Sequence, residues 1–590
     1  MPDKETIRQE RIRADENLVD TLTKYDKYLL KILDPWKKIW QKVSNNIAPI
    51  RENMEGRNPD GYEVGLEIYD SKPIAIVQIF SNGMQGATIS SNIVWQRLTM
   101  EVPTRPLVMR AHPGAISRGP MRPYLSRYET LEDVPEVLAW LQDSTKGLYD
   151  SFRRSNIYSE STSIFDDAGT IGTAHIFGQE DIGRGRLVFK CFHPATVKIA
   201  TDQYGNVDTH FRTEKLSAKI LKEKFGEDRL SNKIKQSLRN NPFEKHEVLH
   251  CIYPRTERIR GNINKKNKPV ASVWIDPNSK KLLGISGFDM MHSFTWRYRT
   301  YHGDSYGRSP AMFALADIAG VHVIEEELLG AGQLAVRPAY AIPEYLKDKT
   351  DLGPGGENFI RKQDTITPIH TAANFPIGAE QKREKIETIK DHFHVDFFLM
   401  LASATRQMTA TEILERQGER ASLLGAATGR LQVDFLDPLI DLTFFLEYRA
   451  GRLPLAPDIV IEYAPDQRIG VDYLGPLPQI QKRLFRTQGI TQGLAAIQPL
   501  AEMFPKLYGI FKPYEVGREI LEVNNFPQRG MRTREEYDAW LQAQEAAAAK
   551  AEMRQQIMET LESAKTLAQA DQATGNRISE GLLEAGGEQG

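Results

Sequence analysis

The sequence predicts an α+β protein, mainly helical, whose strands are gathered in one stretch of the chain. Three observations predict this. Apolar residues recur at three- and four-residue steps in several segments, first at Leu18, Leu22, Tyr25, Leu29 and Ile32, as on one face of a helix. Strand-like runs fall between residues 187 and 300 and do not alternate regularly with helices, so a doubly wound sheet is excluded. From Gly307 onward the pattern is helix, exposed excursion, return helix and one very long helix, a layout that suits an extended subunit better than a compact enzyme core.

The elements follow in order. Residues 4–43 read as an amphipathic helix, with a break or kink expected at Asp34-Pro35 because the residue before proline avoids the helical region. Pro73 to Phe80 reads equally as helix or strand. Residues 131–157 read as a helix with Val134, Val137, Leu138, Leu141, Leu148 and Phe152 on one side. Leu187–Phe192, Thr196–Ala200 and Val207–Arg212 are strands, with Asp202–Gly205 as a turn. Leu216–Phe225 is helical and stops at Gly226, and residues 245–300 return to strands around a turn at Asp276-Pro277-Asn278.

Residues 309–334 form a helix carrying Phe313, Leu315, Ile318, Val321, Ile324 and Leu328. A loop of proline, glycine and charge follows, and a charged helix returns over residues 379–400. Thr409 with Glu412 makes a capping box for a helix running to Tyr448, where Gly451 and Pro454 end it. Pro438 lies inside this helix and predicts a kink near Leu436. Ile459–Tyr463 reads as a short strand. Helices continue to about Glu522, and an Ala/Gln/Glu-rich helix runs from Thr533 to about Asp571. That last helix is either bundled with copies of itself or alone in solvent. Residues 572–590 are polar, Gly-rich and expected to be disordered.

With 590 residues, 41% hydrophobic and 26% charged, the chain can bury a large core in several lobes. Its net charge of −2 argues against a protein that grips nucleic acid. It does not argue against one that lets DNA slide past, since each cation on a phosphate adds affinity. The two cysteines, Cys191 and Cys251, sit in strand-like runs and read as buried reduced thiols of a reducing compartment. No apolar stretch approaches a membrane span, and the N-terminus lacks a signal-peptide core, so a soluble product made in the cytoplasm is expected.

Chemistry finds no foothold. There is no phosphate-binding Gly-x-x-x-x-Gly-Lys-Ser/Thr loop, and Gly353-Pro-Gly-Gly356 lacks the lysine. His392 and His394 diverge on a helix, and His322-Val-Ile-Glu-Glu lacks the second histidine of a zinc site. No Gly-x-Ser-x-Gly elbow is present. No catalytic residue, metal or cofactor is therefore assigned.

Gly307-Arg-Ser-Pro310, Met408 to Ile413, Phe435 to Ile440, Gly451 to Pro454 and the aromatic-rich stretch 149–177 are each short, but their order and spacing are specific. Together they resemble the portal proteins, or head-to-tail connectors, of short-tailed, podovirus-type bacteriophages, from about Tyr28 to about Glu522. The resemblance implies a structural ring, usually of twelve subunits, at one capsid vertex of the virion. Double-stranded DNA would pass through its channel during packaging and ejection. It implies an elongated subunit divided into wing, stem, clip and crown. On this chain residues 1–300 would be the wing, 301–334 and 379–399 the two stem helices, and 335–378 the clip. Residues 400–409 would be a tunnel loop, 410–477 a long kinked wing helix and strand, and 478–571 the crown with the C-terminal helix.

By the same resemblance Lys382, Arg383, Lys385 and Lys390 would face the channel, with Arg406 as a collar in the tunnel loop. Lys347, Asp348, Lys349, Asp351, Arg361 and Lys362 would lie in the clip, where the terminase large subunit docks first and tail adaptor or tail tube proteins later. Major capsid and scaffolding proteins are further implied partners, and internal virion proteins are compatible with it. The alternatives from other classes are a DNA-processing enzyme and a monomeric protein-binding scaffold.

Overall fold

The computed structural model describes residues 4–49, 68–102, 130–258, 264–336, 339–341, 367–369, 375–402, 423–463, 469–479, 512–523 and 534–574, with a few single positions besides. The chain divides into two compact units, residues 1–484 and 485–590.

The first unit opens with α1 (Lys4–Ile47). Val19, Leu22, Leu29, Leu33, Trp36, Trp40, Val43 and Ile47 form its buried stripe. The helix runs through Pro35 without the expected break. Proline removes one backbone donor, but Leu33, Trp36 and Trp40 are pinned on either side of it. Tyr306 packs 5.8 Å from Trp36 and 5.3 Å from Trp40, ring centre to ring centre. The ambiguous apolar run resolves as α2 (Lys72–Thr88), buried at the helical spacing Ile76, Phe80, Met84, Ala87. Then come β1 (Gln96–Thr99), α3 (Pro135–Arg154) and α4 (Ile157–Thr170).

The predicted β-rich middle over residues 187–300 is there, and an additional strand that the sequence reading does not include precedes it at residues 173–181. Together they comprise β2 (Thr173–Asp181), β3 (Arg186–Phe192), β4 (Val197–Thr201), β5 (Val207–Ser217), the small helices α5 (Ala218–Phe225) and α6 (Asn232–Asn240), then β6 (Lys245–Pro254), β7 (Val270–Asp276), β8 (Lys281–Phe288) and β9 (Ser293–Arg297). The strands make two antiparallel sheets, one ordered β3-β2-β9 and one ordered β4-β5-β6-β7-β8. Side-chain alternation sorts the larger sheet's faces. Phe211, Leu249, Cys251, Val273 and Ile275 pack with Val19, Leu22 and Leu29 of α1. The other face packs against α5 and α6 at one end, through Val248 and Trp274. At the other end it meets the smaller sheet, through Val197, Ile199, Ile252, Phe177 and Phe192. Cys251 is buried and Cys191 half-buried, and neither is in a disulfide.

Beyond the sheets lie α7 (Pro310–Phe313), α8 (Leu315–Val336), the strand pair β10 (Ala339–Ala341) and β11 (Thr367–Ile369), α9 (Phe375–His392) and α10 (Val395–Ala402). The sequence pattern predicts an unbroken return helix to residue 400. It is interrupted at His394, whose φ of 52° lies in the left-handed region. The interruption turns Phe393, Phe397 and Phe398 into the core, where Phe80 meets Phe393 and Phe398 edge-on at 5.7 and 5.8 Å.

The long helix is described from residue 423 as α11 (Gly425–Leu431), a π-turn (Gln432–Leu436) and α12 (Asp437–Arg449). The distortion falls where Pro438 predicts a kink. In a straight α-helix the proline ring meets the carbonyl four residues back, and the wider π-turn relieves that clash. Gly451 ends the helix at φ 70°, as expected. The capping box at Thr409 and Glu412 lies outside the described residues.

Ile459–Tyr463 is a correction: it forms the short helix α13 (Asp458–Tyr463), not a strand. The β-branched run favours a strand, but the neighbours Ile459 and Val460 are both buried while Ile461 is 58% exposed. That burial fits a helical turn, and Pro457 O accepts from the amides of Val460 and Ile461 at 2.9 and 3.2 Å. The last strand, β12 (Gly470–Tyr473), pairs with β1. In the second unit the described elements are α14 (Pro513–Val523) and α15 (Arg534–Thr574). No helix among the described residues is long and apolar enough to cross a membrane.

Candidate functional site

The candidate site is the helix pair α8–α9 and its mount on the rest of the first unit. The mount begins at Gly307. Its amide donates to Thr173 Oγ1 at 2.9 Å, and a Cβ placed there would lie 2.1 Å from Gly172 O. Gly172 adopts φ 80°, and its own Cβ would lie 2.5 Å from the carbonyl carbon of Arg308. Two backbones thus cross where only glycines fit. Arg308 is held by Asp304 in two hydrogen bonds of 2.8 and 3.0 Å and lies 5.1 Å over Trp36. Ser309 caps α7, accepting from the Met312 amide at 3.0 Å and donating to Thr170 O at 2.7 Å. The Gly-Arg-Ser-Pro motif is a joint: it fixes the start of α7 and α8 to α1, α4 and β2.

Along α8, Ile318, Val321 and His322 are buried. His322 Nε2 donates to Asn46 O at 2.8 Å, and its Nδ1 accepts from the Asp70 amide at 3.3 Å. Lys382 of α9 reaches the same place. Its ammonium lies 2.7 Å from Asp70 and also contacts Glu325 of α8. Burial pushes the Asp70 carboxyl up, but Lys382 and the Lys72 amide outweigh it and hold the group below its ordinary value. Lys385 pairs with Asp317 of α8 at 3.1 Å, and its chain lies where a Cβ on Gly320 would sit. Gly378 lets Leu328 in between the helices.

The four α9 cations therefore split into two pairs. Lys382 and Lys385 turn to α8 and to Asp70. Arg383 and Lys390 pair, among the described residues, along their own helix, with Glu380 at 2.5 Å and Glu387 at 2.7 Å. Arg406 lies outside the described residues, as do Lys347, Asp348, Lys349, Asp351, Arg361 and Lys362. Sequence reasoning missed Asp70, Asp317, Glu325 and His322. The one available hint is that α8 carries acids and no Lys or Arg, so that its basic partners must come from elsewhere.

The far end of the pair is apolar and wet. Val323, Leu329 and Leu334 of α8 and Ile377 of α9 are all about half exposed, and Val336 more so. Glu326 and Glu327 lie on the exposed side of α8. Behind the mount, α12 is anchored by Tyr473, which donates to Asp437, and by Ser151, which donates to the buried Glu447 at 2.7 Å. Among the described residues no three His, Cys, Asp or Glu side chains are grouped to hold a metal.

Comparison with known proteins identifies the family. Residues 20–532 match the model of the family described as bacteriophage head to tail connecting protein. The chain is 26% identical over 493 residues to a probable portal protein of Bordetella phage BPP-1, covering 81% of this chain and 82% of the relative. It is 29% identical over 387 residues to the portal protein of Salmonella phage epsilon15, covering 63% and 68%. The chain belongs to the bacteriophage head-to-tail connector family, the portal proteins of short-tailed phages.

Proposed function

We propose that this chain assembles, as about twelve copies in a closed ring, into the portal of a phage capsid vertex and acts as a non-catalytic conduit for double-stranded DNA. The family match over residues 20–532 carries this reading. The helix pair supports it. A closed ring needs two different faces of each subunit to meet. The half-exposed Val323, Leu329, Leu334 and Ile377 give α8–α9 apolar surface that a neighbouring copy would bury. In that ring α8 and α9 are the stem, and the outer α9 face with Arg383 and Lys390 looks onto the channel. Lys382 and Lys385, paired with Asp70, Glu325 and Asp317, hold α9 in place beneath that face. Arg406 forms a collar in the tunnel loop. The balance of Arg383 and Lys390 against Glu380 and Glu387 keeps contacts with phosphate weak enough for DNA to move.

The clip, residues 335–378, docks the terminase large subunit through Lys347, Asp348, Lys349, Asp351, Arg361 and Lys362, and later the tail adaptor and tail tube. The wing meets major capsid and scaffolding proteins, and the crown, 478–571, faces the packaged DNA and any internal virion proteins. The chain is made in the host cytoplasm and ends in the virion. Deleting residues 348–357 tests the docking assignment. Rings should form normally while terminase binding is lost, and normal terminase binding by those rings would remove it. Arg406→Ala should leave assembly intact and change packaged genome length or retention. An unchanged genome would remove the collar.

A further inference from the structure

Where the two sheets meet, the buried layer is not purely apolar. Arg212 of β5 is 1% exposed, with its guanidinium 4.1 Å above Phe177 of β2 and 4.4 Å above Phe192 of β3. His250 of β6 lies beside it and stacks on Trp274 of β7 at 3.8 Å. His175 of β2 and His210 of β5 are likewise buried, 5.1 Å apart, ring centre to ring centre. His292, just before β9, stacks on Phe288 at 4.1 Å and donates from Nδ1 to Gly178 O at 2.8 Å.

The hydrogen bonds require the His250 ring to be neutral. Arginine only donates, so the 2.5 Å contact from Arg212 Nη2 makes His250 Nδ1 an acceptor. The proton of His250 is then on Nε2, which donates to Ser272 Oγ at 2.8 Å. A second proton would set N–H against N–H. His175 is held by Thr295 and Ser293 of β9, at 2.8 and 3.1 Å. Thr295 Oγ1 also lies 3.3 Å from His210 Nδ1 and has one proton for the two rings.

The charge around the layer is already positive. Arg212, Lys190 of β3 and Lys224 of α5 face it, with Lys224 3.5 Å over the Trp274 ring. Glu214 of β5 is the carboxylate nearest to them, 3.5 Å from Arg212 and 3.6 Å from Lys190. Asp289 and Arg449 stand near His292. Desolvation, and then the Arg212 charge, hold His210 down to about 3; desolvation, then His210 and Arg212, keep His175 well below the usual histidine range, and desolvation, then Arg212 and Lys224, do the same for His250. Desolvation holds His292 down to about 4.

We propose that this histidine–arginine layer is an acid-sensitive lock between the two sheets, closed while His175, His210, His250 and His292 are neutral and opened when they take up protons. The linkage has one sign. Histidines whose folded values lie below their unfolded value of about 6.5 contribute full stability above it. Below it, the closed state loses up to about tenfold per pH unit for each histidine that must gain a proton on opening. The lock matters for the rest of the molecule because β2 starts at the Gly172–Gly307 crossing that mounts α8.

Hydrogen exchange of the full chain, corrected for the intrinsic pH dependence, tests this between pH 7 and pH 5. Protection of β2, β5 and β6 should fall steeply below pH 6.5, while α3 and α12 change little. His250→Asn, which keeps an acceptor toward Arg212, should reduce the loss by about tenfold per pH unit. Wild-type protection in β5 and β6 that is flat with pH, or that falls only in step with α3 and α12, would overturn the proposal without any variant. A folded His250→Asn protein with the wild-type pH dependence would overturn the role of His250.

Discussion

At the residue scale, Gly307 tolerates no side chain. A Cβ 2.1 Å from Gly172 O cannot be relieved by moving a flexible group, since both partners are backbone. Gly307→Ala should cost about 3 kcal/mol or more, in the range of severe overpacking, read as a lower denaturation midpoint. A midpoint equal to wild type would mean that the crossing can open. The α9 cations give a graded series. Lys382→Met leaves Asp70 buried without its charge partner and should cost about 1–3 kcal/mol. Arg383→Met, on an exposed i,i+3 pair, should stay within about 0.5 kcal/mol. The pH dependence follows from Asp70, whose carboxyl is held below its ordinary value. Its contribution is present above about pH 4 and is lost as pH falls through the depressed value, so the cost of Lys382→Met should shrink in acid. These cations were legible in the sequence as charges on a helix. Their partners were not, because Asp70 and Lys382 stand far apart in the chain and no periodicity joins them.

At the element scale, the joints decide the architecture. The π-turn before Pro438 and the left-handed His394 both bend a helix where it must follow the core. Tyr473 ties β12 to the start of α12 through Asp437, a carboxyl that burial raises and the tyrosine's hydrogen bond lowers. Tyr473→Phe removes that donor and should cost about 1–2 kcal/mol at pH 7. The deficit should shrink toward pH 4, where protonated Asp437 no longer needs it. A deficit constant with pH would show that packing, not the hydrogen bond, is the tyrosine's contribution. Strands were legible where a short apolar run is bounded by polar residues, a local signal, as in residues 248–253 of a strand covered on both faces. The proline at 438 announced its distortion because its clash is local too. Pro35 and Ile459–Tyr463 misled because tertiary burial overruled local preference: two buried tryptophans carry α1 unbroken across Pro35, and the adjacent burial of Ile459 and Val460 selects a helical turn.

At the scale of the whole molecule, the proposed conduit is consistent with the near-zero net charge and with the paired acids and bases of α9, which would keep DNA from being gripped. The assembled ring should bind free duplex DNA no more tightly than ordinary non-specific binding, a Kd of about 10⁻⁴–10⁻⁶ M near physiological salt. Fluorescence anisotropy would measure it, and nanomolar affinity would contradict a conduit. The central claim is the ring, and electron microscopy of the purified protein, with its solution mass, tests it most directly. The account predicts a particle close to twelve times the 66.9 kDa of one chain, with an axial opening lined by α9. A protein that stays monomeric when concentrated, or a closed particle with α9 on its outside, would contradict it.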